Sequence, residues 1–356
     1  MGTKPTLSVG DRLAAGWGIL KTIPSIVSAA FAWPLQGSER ASTYYRHVTY
    51  TAMREVVHNL PTRTIVGLSP TTDQAYTAFV KSIDSPAHTV DLGDGTRGHW
   101  IGDSSAEHVL FHCHGGGYAI YATGAHFEGL WSIVQELRRT GKNLAVLLLS
   151  YDVSSTAHYP RQLEQACSLL SYLIQTKGIA SSKVILTGDS AGGHLLLSLL
   201  SHIIHPHPEV SPIVLPPGAT FLGAALFSPW VTFDTESSES MRRNRTKDVL
   251  HIPALEDWSA KFTGTAPRDN YLDPLRAPPE WWIGLPIRDI LIVSGADEIF
   301  IDDIDVFARK LSAVHPTVSH FSASGEAHIQ LFTEFMIRES KSKQRDVLQE
   351  WIGARI

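Results

Sequence analysis

The chain of 356 residues carries 30 Lys and Arg against 35 Asp and Glu, a formal charge of −5, so there is no cationic surplus to hold nucleic-acid phosphates. Hydrophobic residues make up 43% and charged residues 18%, against an ordinary charged fraction of about 25%. A large buried interior follows, and disorder is excluded as the main state. The two cysteines, Cys113 and Cys167, cannot build a disulfide scaffold or a cysteine-rich zinc site. A reducing, cytoplasmic location is the simpler expectation.

In chain order, residues 13–34 form an apolar stretch interrupted by Lys21 and Pro24. A secretory signal would put its charge first and follow it with an unbroken apolar run, and a spanning helix needs about 20 apolar residues without a central lysine. The stretch reads as an amphipathic helix covering apolar surface, with a membrane-surface anchor as the alternative. From about residue 85, short apolar runs alternate with helical patterns. The runs are 108–113, 144–151, 183–187, 220–228, 289–294 and 317–323; helices are expected at about 125–140, 160–177, 191–204, 301–314 and 328–340. Continuous apolar runs suit strands buried on both faces of a parallel sheet. Their rhythm predicts an α/β fold with a mostly parallel, doubly wound sheet. Residues 1–60 and 229–288 fall outside it. The predicted organisation is an N-terminal helical cap segment over 1–60, a catalytic core over 61–228 and 289–356, and a cap insertion over 229–288.

The motif His114-Gly115-Gly116-Gly117-Tyr118 follows the run HVLFHC. Consecutive glycines leave backbone N–H groups free to face a cavity, as acyl transfer requires where charge develops on a carbonyl oxygen. No phosphate-loop or dinucleotide pattern accompanies them, and no cofactor is expected. Metal binding by His112 and His114 is the rival reading, but no carboxylate lies nearby in sequence. Gly188-Asp189-Ser190-Ala191-Gly192 lies between KVILT and a helical pattern, the strand-turn-helix context that exposes a nucleophilic serine. The N–H of Ala191 would complete an oxyanion hole with Gly115, Gly116 and Gly117. Further on, Asp297 and Glu298 end the run ILIVSG, and His328 follows the last run. Either carboxylate could accept the imidazole Nδ1–H, and strand alternation would let only one of them face the site. His328 suits a general base. His202, His205 and His207 lie in a proline-bounded loop without a metal set. Trp230, Trp258, Trp281 and Trp282 read as cap packing, with one or two lining the pocket.

HGGGY followed by GDSAG resembles the hormone-sensitive-lipase branch of the α/β-hydrolases. The stretch from Tyr151 to Glu164 (YDVSSTAHYPRQLE) is similar to that branch's YRLAPEHPFPAALE, keeping Tyr151, Pro160, Leu163 and Glu164 and departing at Asp152; Asp273-Pro274 is similar to its D-P element. The resemblance covers about residues 85–350 and implies an α/β-hydrolase fold with a helical cap. Laid on without gaps, its acid pattern puts the triad carboxylate at Glu298, with Asp297 as the alternative, beside Ser190 and His328. It implies a serine esterase without metal or cofactor, acting on small-molecule esters of short to medium acyl length or natural-product esters. In general style the chain is also similar to fungal esterases of secondary metabolism. Acyl transfer, lactonisation or ring closure shares the same chemistry up to the acyl-enzyme. A small-molecule receptor on the same scaffold would have a triad residue replaced, and here all three positions hold competent side chains.

Overall fold

The computed structural model describes residues 4–356. Four helices come first: α1 (Val9–Ala32), α2 (Tyr44–Asn59), α3 (Thr62–Leu68) and α4 (Thr72–Ser82). The strands are β1 (Thr89–Asp91), β2 (Arg97–Ile101), β3 (His108–Cys113), β4 (Leu144–Ser150), β5 (Val184–Asp189), β6 (Gly223–Phe227), β7 (Ile290–Gly295) and β8 (Val318–Ala323). Between them run α5 (Gly124–Arg139), α6 (Arg161–Ser171), α7 (Ala191–Ile204), α8 (Ser240–Arg243), α9 (Ile252–Thr263) and α10 (Ile301–Ser312), with α11 (Gln330–Met336) and α12 (Lys343–Gly353) at the end.

One sheet orders the strands β1-β2-β4-β3-β5-β6-β7-β8. The six apolar runs pair in parallel as β3 through β8, while β1 and β2 add antiparallel at the β4 edge. These two short strands had no apolar run to announce them. The α/β-hydrolase expectation, a mostly parallel sheet wound on both faces, describes the molecule. Strands β3, β5, β6 and β7 are buried at every position because helices cover both sides. Phe111, Leu147, Leu186 and Ile292 pack toward α6, α7 and α10; Leu110, Val146, Ile185 and Val293 pack toward α4, α5 and α12. At about 1.5–3 kcal/mol for each large side chain fully buried, this two-sided core fixes the strand ends that carry the chemistry. Cys113 and Cys167 are buried and free.

The N-terminal helix departs from expectation. It runs through Pro24 without a break, and its start is held by a capping box in which Ser8 and Asp11 exchange hydrogen bonds. Its inward residues are small: Ala15, Gly18, Thr22 and Ala29. Its large apolar residues point outward, with Leu13 71%, Trp17 62% and Phe31 81% exposed. The helix therefore does not use its large side chains to cover apolar surface. Gly18 explains the inner face, since a Cβ there would stand 2.8 Å from the carbonyl oxygen of Asn59 in α2.

Candidate active site

Ser190 sits at the turn from β5 to α7 with φ 52° and ψ −119°, a left-handed conformation that an L-residue adopts only at a cost of about 1–3 kcal/mol. The surroundings impose it. The Ser190 N–H donates to the Phe227 carbonyl at 2.9 Å, and its own carbonyl accepts from Trp230 N–H at 3.1 Å and His194 N–H at 3.0 Å. The flanking glycines let three chain segments meet. A Cβ on Gly188 would lie 2.3 Å from Gly192 O, and one on Gly192 would lie 2.0 Å from Cys113 O. The hydroxyl is thereby lifted to the C-terminal edge of the sheet, where open α/β sheets hold their ligands.

The other candidate side chains converge on the same edge. The strand ends at Gly295, so alternation no longer governs the next residues, and the chain turns Glu298 inward. Glu298 is fully buried; its Oε2 accepts from His328 Nδ1 at 2.8 Å and its Oε1 accepts from Gly295 N–H at 2.9 Å. Asp297 points elsewhere, 3.9 Å from Lys247 Nζ. Burial pushes the Glu298 carboxyl up, opposed by the hydrogen bond from His328. Burial alone would lower His328, but the Glu298 hydrogen bond and charge prevail and hold the imidazole above its ordinary value. With Nδ1–H committed, Nε2 is the bare, accepting nitrogen. It is buried and has no hydrogen-bond partner among the described residues, and His328 and Ser190 line one cavity.

The glycine loop supplies backbone donors. Gly116 and Gly117 have φ +109° and +60°, and no acceptor among the described residues takes their N–H groups. Gly115 differs from the reading that grouped all three. Its N–H donates to Asp189 Oδ1 at 2.9 Å, so it anchors the loop and is unavailable to an oxyanion. Asp189 is buried beside His112 Nε2 at 3.2 Å and His126 Nε2 at 3.4 Å. Against its own burial, the charge of His126 and the His112 bond hold its carboxyl far below the usual range. His112 and His114 do not act as a pair: His112 Nδ1 meets Thr187 Oγ1 at 3.0 Å and His114 Nδ1–H donates to Gly115 O at 2.6 Å. Burial pushes His114 down to about 3. Among the described residues no group of three His, Cys, Asp or Glu is arranged to hold a metal ion. Tyr151, which the lipase-like stretch singled out, stacks on His114 at 4.2 Å and donates to its carbonyl at 2.8 Å.

A cavity of about 870 Å³, including its open mouth, joins these groups. Met53 and Val57 of α2, Leu255 and Trp258 of α9, and Met336 of α11 make its walls apolar, as ligand sites usually are. Trp258 stands over the glycine loop: a Cβ on Gly117 would lie 2.2 Å from its ring. Trp230, Trp281 and Trp282 do not line the cavity: Trp230 stacks on Phe300, whose ring meets His328 edge-on, while Trp282 packs on Phe307 and Trp281 on His205. His202 and His205 bond backbone carbonyls.

One residue escaped the sequence reading. Asp248, buried in the loop before α9, accepts from Ile299 N–H at 2.8 Å through Oδ2, and from His328 N–H at 3.0 Å and Val249 N–H at 2.7 Å through Oδ1. A single carboxylate thus ties the Glu298 loop to the His328 loop. Its backbone carbonyl accepts from Arg54 of α2. Nothing in its sequence neighbourhood, TKDVLH, distinguishes it from a solvated loop acid.

A family model described as steryl acetyl hydrolase matches residues 101–330. Steryl acetyl hydrolase 1 of Saccharomyces cerevisiae is 26% identical over 235 residues, 62% of this chain and 52% of the yeast protein; the chain spans about half the length of that relative. An esterase of Acinetobacter venetianus is 26% identical over 270 residues, 75% of this chain and 78% of the bacterial one. Among solved structures, an esterase from the bacterial hormone-sensitive lipase family superposes with a TM-score of 0.65 at 22% identity, over 89% of this chain and 99% of that one, a likeness of fold.

Proposed function

The chain belongs to the steryl acetyl hydrolase family, and from that premise we propose that it cleaves carboxylic esters of apolar alcohols, with short acyl groups such as acetate, by acyl-enzyme chemistry. Ser190 Oγ attacks the ester carbonyl while His328 Nε2 takes its proton. The N–H groups of Gly116, Gly117 and Ala191 receive the negative charge that develops on the carbonyl oxygen. Glu298 holds His328 in its Nδ1–H tautomer and stabilises the imidazolium. His328 then gives its proton to the departing alkoxide, and a water molecule, deprotonated by the same nitrogen, releases the acid. The observation that carries this reading is the 2.8 Å Glu298–His328 bond behind a bare Nε2 in the cavity that Ser190 enters. The apolar cavity walls and the activity named for the related steryl acetyl hydrolases support an apolar alcohol and a short acyl group. The test is hydrolysis of nitrophenyl esters of increasing chain length and of a steryl acetate. Ser190→Ala should lower turnover by about 10⁴-fold or more and Glu298→Gln by about 10³–10⁴-fold, with Asp297→Asn within a few-fold of wild type. Unchanged turnover in Ser190→Ala would end the reading.

A further inference from the structure

The glycine loop meets one carboxylate at both of its ends. At the entry, Gly115 N–H donates to Asp189 Oδ1 at 2.9 Å. Gly115 also sits so closely on the second oxygen that a Cβ there would lie 2.2 Å from Oδ2. At the exit the chain passes into α5, whose first turn places His126 Nε2 3.4 Å from that same Oδ2. Asp189 and His126 are both buried. Gly116 and Gly117 lie between the two ends, and the carboxylate belongs to the residue directly before Ser190.

Which nitrogen of His126 carries the proton follows from its surroundings. A backbone N–H can only donate, and that of Thr123 donates to His126 Nδ1 at 3.1 Å in the capping box that opens α5. With Nδ1 accepting, Nε2 carries the ring's proton and turns it toward Asp189. Neither Nε2 nor Oδ2 has a hydrogen-bond partner among the described residues, so each is the counterpart the other lacks. A buried carboxylate oxygen without a donor is costly. On the sheet side His112 Nε2 flanks the other oxygen, Oδ1, at 3.2 Å, which leaves Oδ2 to His126. The ring of His126 also packs on Phe332 of α11, with centroids 4.9 Å apart, and borders the cavity. Its shape and its N–H are therefore separable contributions.

We infer that His126 is a positioning residue for the oxyanion hole: through Asp189 it clasps the exit of the glycine loop to its entry. The clasp fixes the Gly116 and Gly117 N–H groups relative to Ser190, because the carboxylate that closes the loop and the nucleophile are adjacent in the chain. A loop closed at its base loses freedom, and donors held in place beforehand need no reorganisation when charge develops on the carbonyl oxygen. The third donor, Ala191 N–H, stands on α7 and does not depend on the loop, so loosening the clasp removes part of the stabilisation and not all of it. The effect on rate rests on the esterase reading; the clasp itself does not.

Three substitutions in the full chain separate the N–H from the ring. His126→Phe keeps a planar ring against Phe332 and removes the proton. His126→Gln gives up the ring but brings an amide N–H to the place of Nε2, whereas the shorter His126→Asn reaches only the place of Nδ1. On a nitrophenyl ester, His126→Phe should lower kcat by about 10²-fold with KM within a few-fold of wild type. Inhibition by a trifluoromethyl ketone, whose serine adduct carries the oxyanion, should weaken by about the same factor. His126→Gln should recover about tenfold of the loss and His126→Asn none of it. Packing alone would give the reverse order, with His126→Phe near wild type and His126→Gln impaired. Hydrogen–deuterium exchange over residues 114–123 is read without turnover and should quicken in His126→Phe and His126→Asn but not in His126→Gln. Should His126→Phe fail to fold, the Gln and Asn pair carries the same comparison. A wild type without turnover whose exchange responds in this way supports the clasp and removes the esterase reading. The proposal is overturned if His126→Phe keeps wild-type kcat and inhibitor affinity, if exchange in the loop is the same in all variants, or if Gln and Asn behave alike.

Discussion

Two helices of this protein are strongly apolar, and the fold treats them in opposite ways. In α7 every residue from Ala191 to His202 is buried, with Leu195, Leu196, Leu199 and Leu200 filling the core beneath the sheet. In α1 the buried positions are Ala15, Gly18, Thr22 and Ala29, and the leucines, tryptophan and phenylalanine face out. Apolar content alone therefore does not say where a helix lies; what separates the two is which side of the helix carries the bulk. Helix α7 uses its bulk to hold the Ser190 turn rigid against β5, whereas α1 uses small residues to approach α2 and leaves its bulk on the exposed side.

The contrast is broken or confirmed most directly by equal truncations. Leu199→Ala removes a fully buried side chain and should cost about 2–5 kcal/mol in urea unfolding. Leu20→Ala, at a 55% exposed position, should stay within about 0.5 kcal/mol of wild type. Comparable losses would mean that the outer face of α1 is covered within the folded chain, and the inside-out account would fail.

A sharper comparison sets the well-tied histidine loop against its neighbours. Asp248 receives N–H groups from both Ile299 and His328, so Asp248→Asn should misplace the two loops relative to one another and lower kcat by about 10²-fold with little change in KM. A purely structural role would lower the stability and leave the pH profile where it was. The smallest expected effect is on that profile. Only neutral His328 can accept the serine proton, and its folded-state value is raised. Turnover should therefore rise with pH through a midpoint above 6.5, the ordinary imidazole value. Removing the Asp248 charge, one of the groups that favour the imidazolium, should move that midpoint down. An unmoved midpoint in Asp248→Asn would count against its electrostatic contribution.

Much of this was legible in the chain, and the reasons for the rest are physical. Five of the six apolar runs announced parallel strands, β3 to β7, because strands covered on both faces are mostly apolar; the sixth, β8, is an edge strand buried only at Ala323. β1, three residues with outer positions exposed, carries no such constraint. The order of Ser190, the acid and His328 followed from motif and fold. The choice between Asp297 and Glu298 could not come from alternation, because the strand stops at Gly295 before either is reached. The family pattern pointed to Glu298, and the geometry sets that residue against His328. The three glycines of the HGGGY loop look equivalent in sequence, and only the Asp189 carboxylate beneath them distinguishes Gly115 from Gly116 and Gly117. Asp248 was invisible for a similar reason: its partners Ile299 and His328 lie in loops that the sequence does not place together. The outward stripe of α1 was hidden too, since a count of apolar residues reads the same whether they face the core or the outside.

The central claim is that Ser190 is a nucleophile activated by His328 and Glu298. The measurement that tests it most directly is the rate of covalent labelling by a serine-directed fluorophosphonate, with the adduct mapped by peptide mass. The account predicts a single adduct on the peptide that contains Ser190, absent from Ser190→Ala and slowed by at least about 10²-fold in Glu298→Gln. Labelling that persists in Ser190→Ala, or that is slowed by Asp297→Asn and untouched by Glu298→Gln, would contradict it.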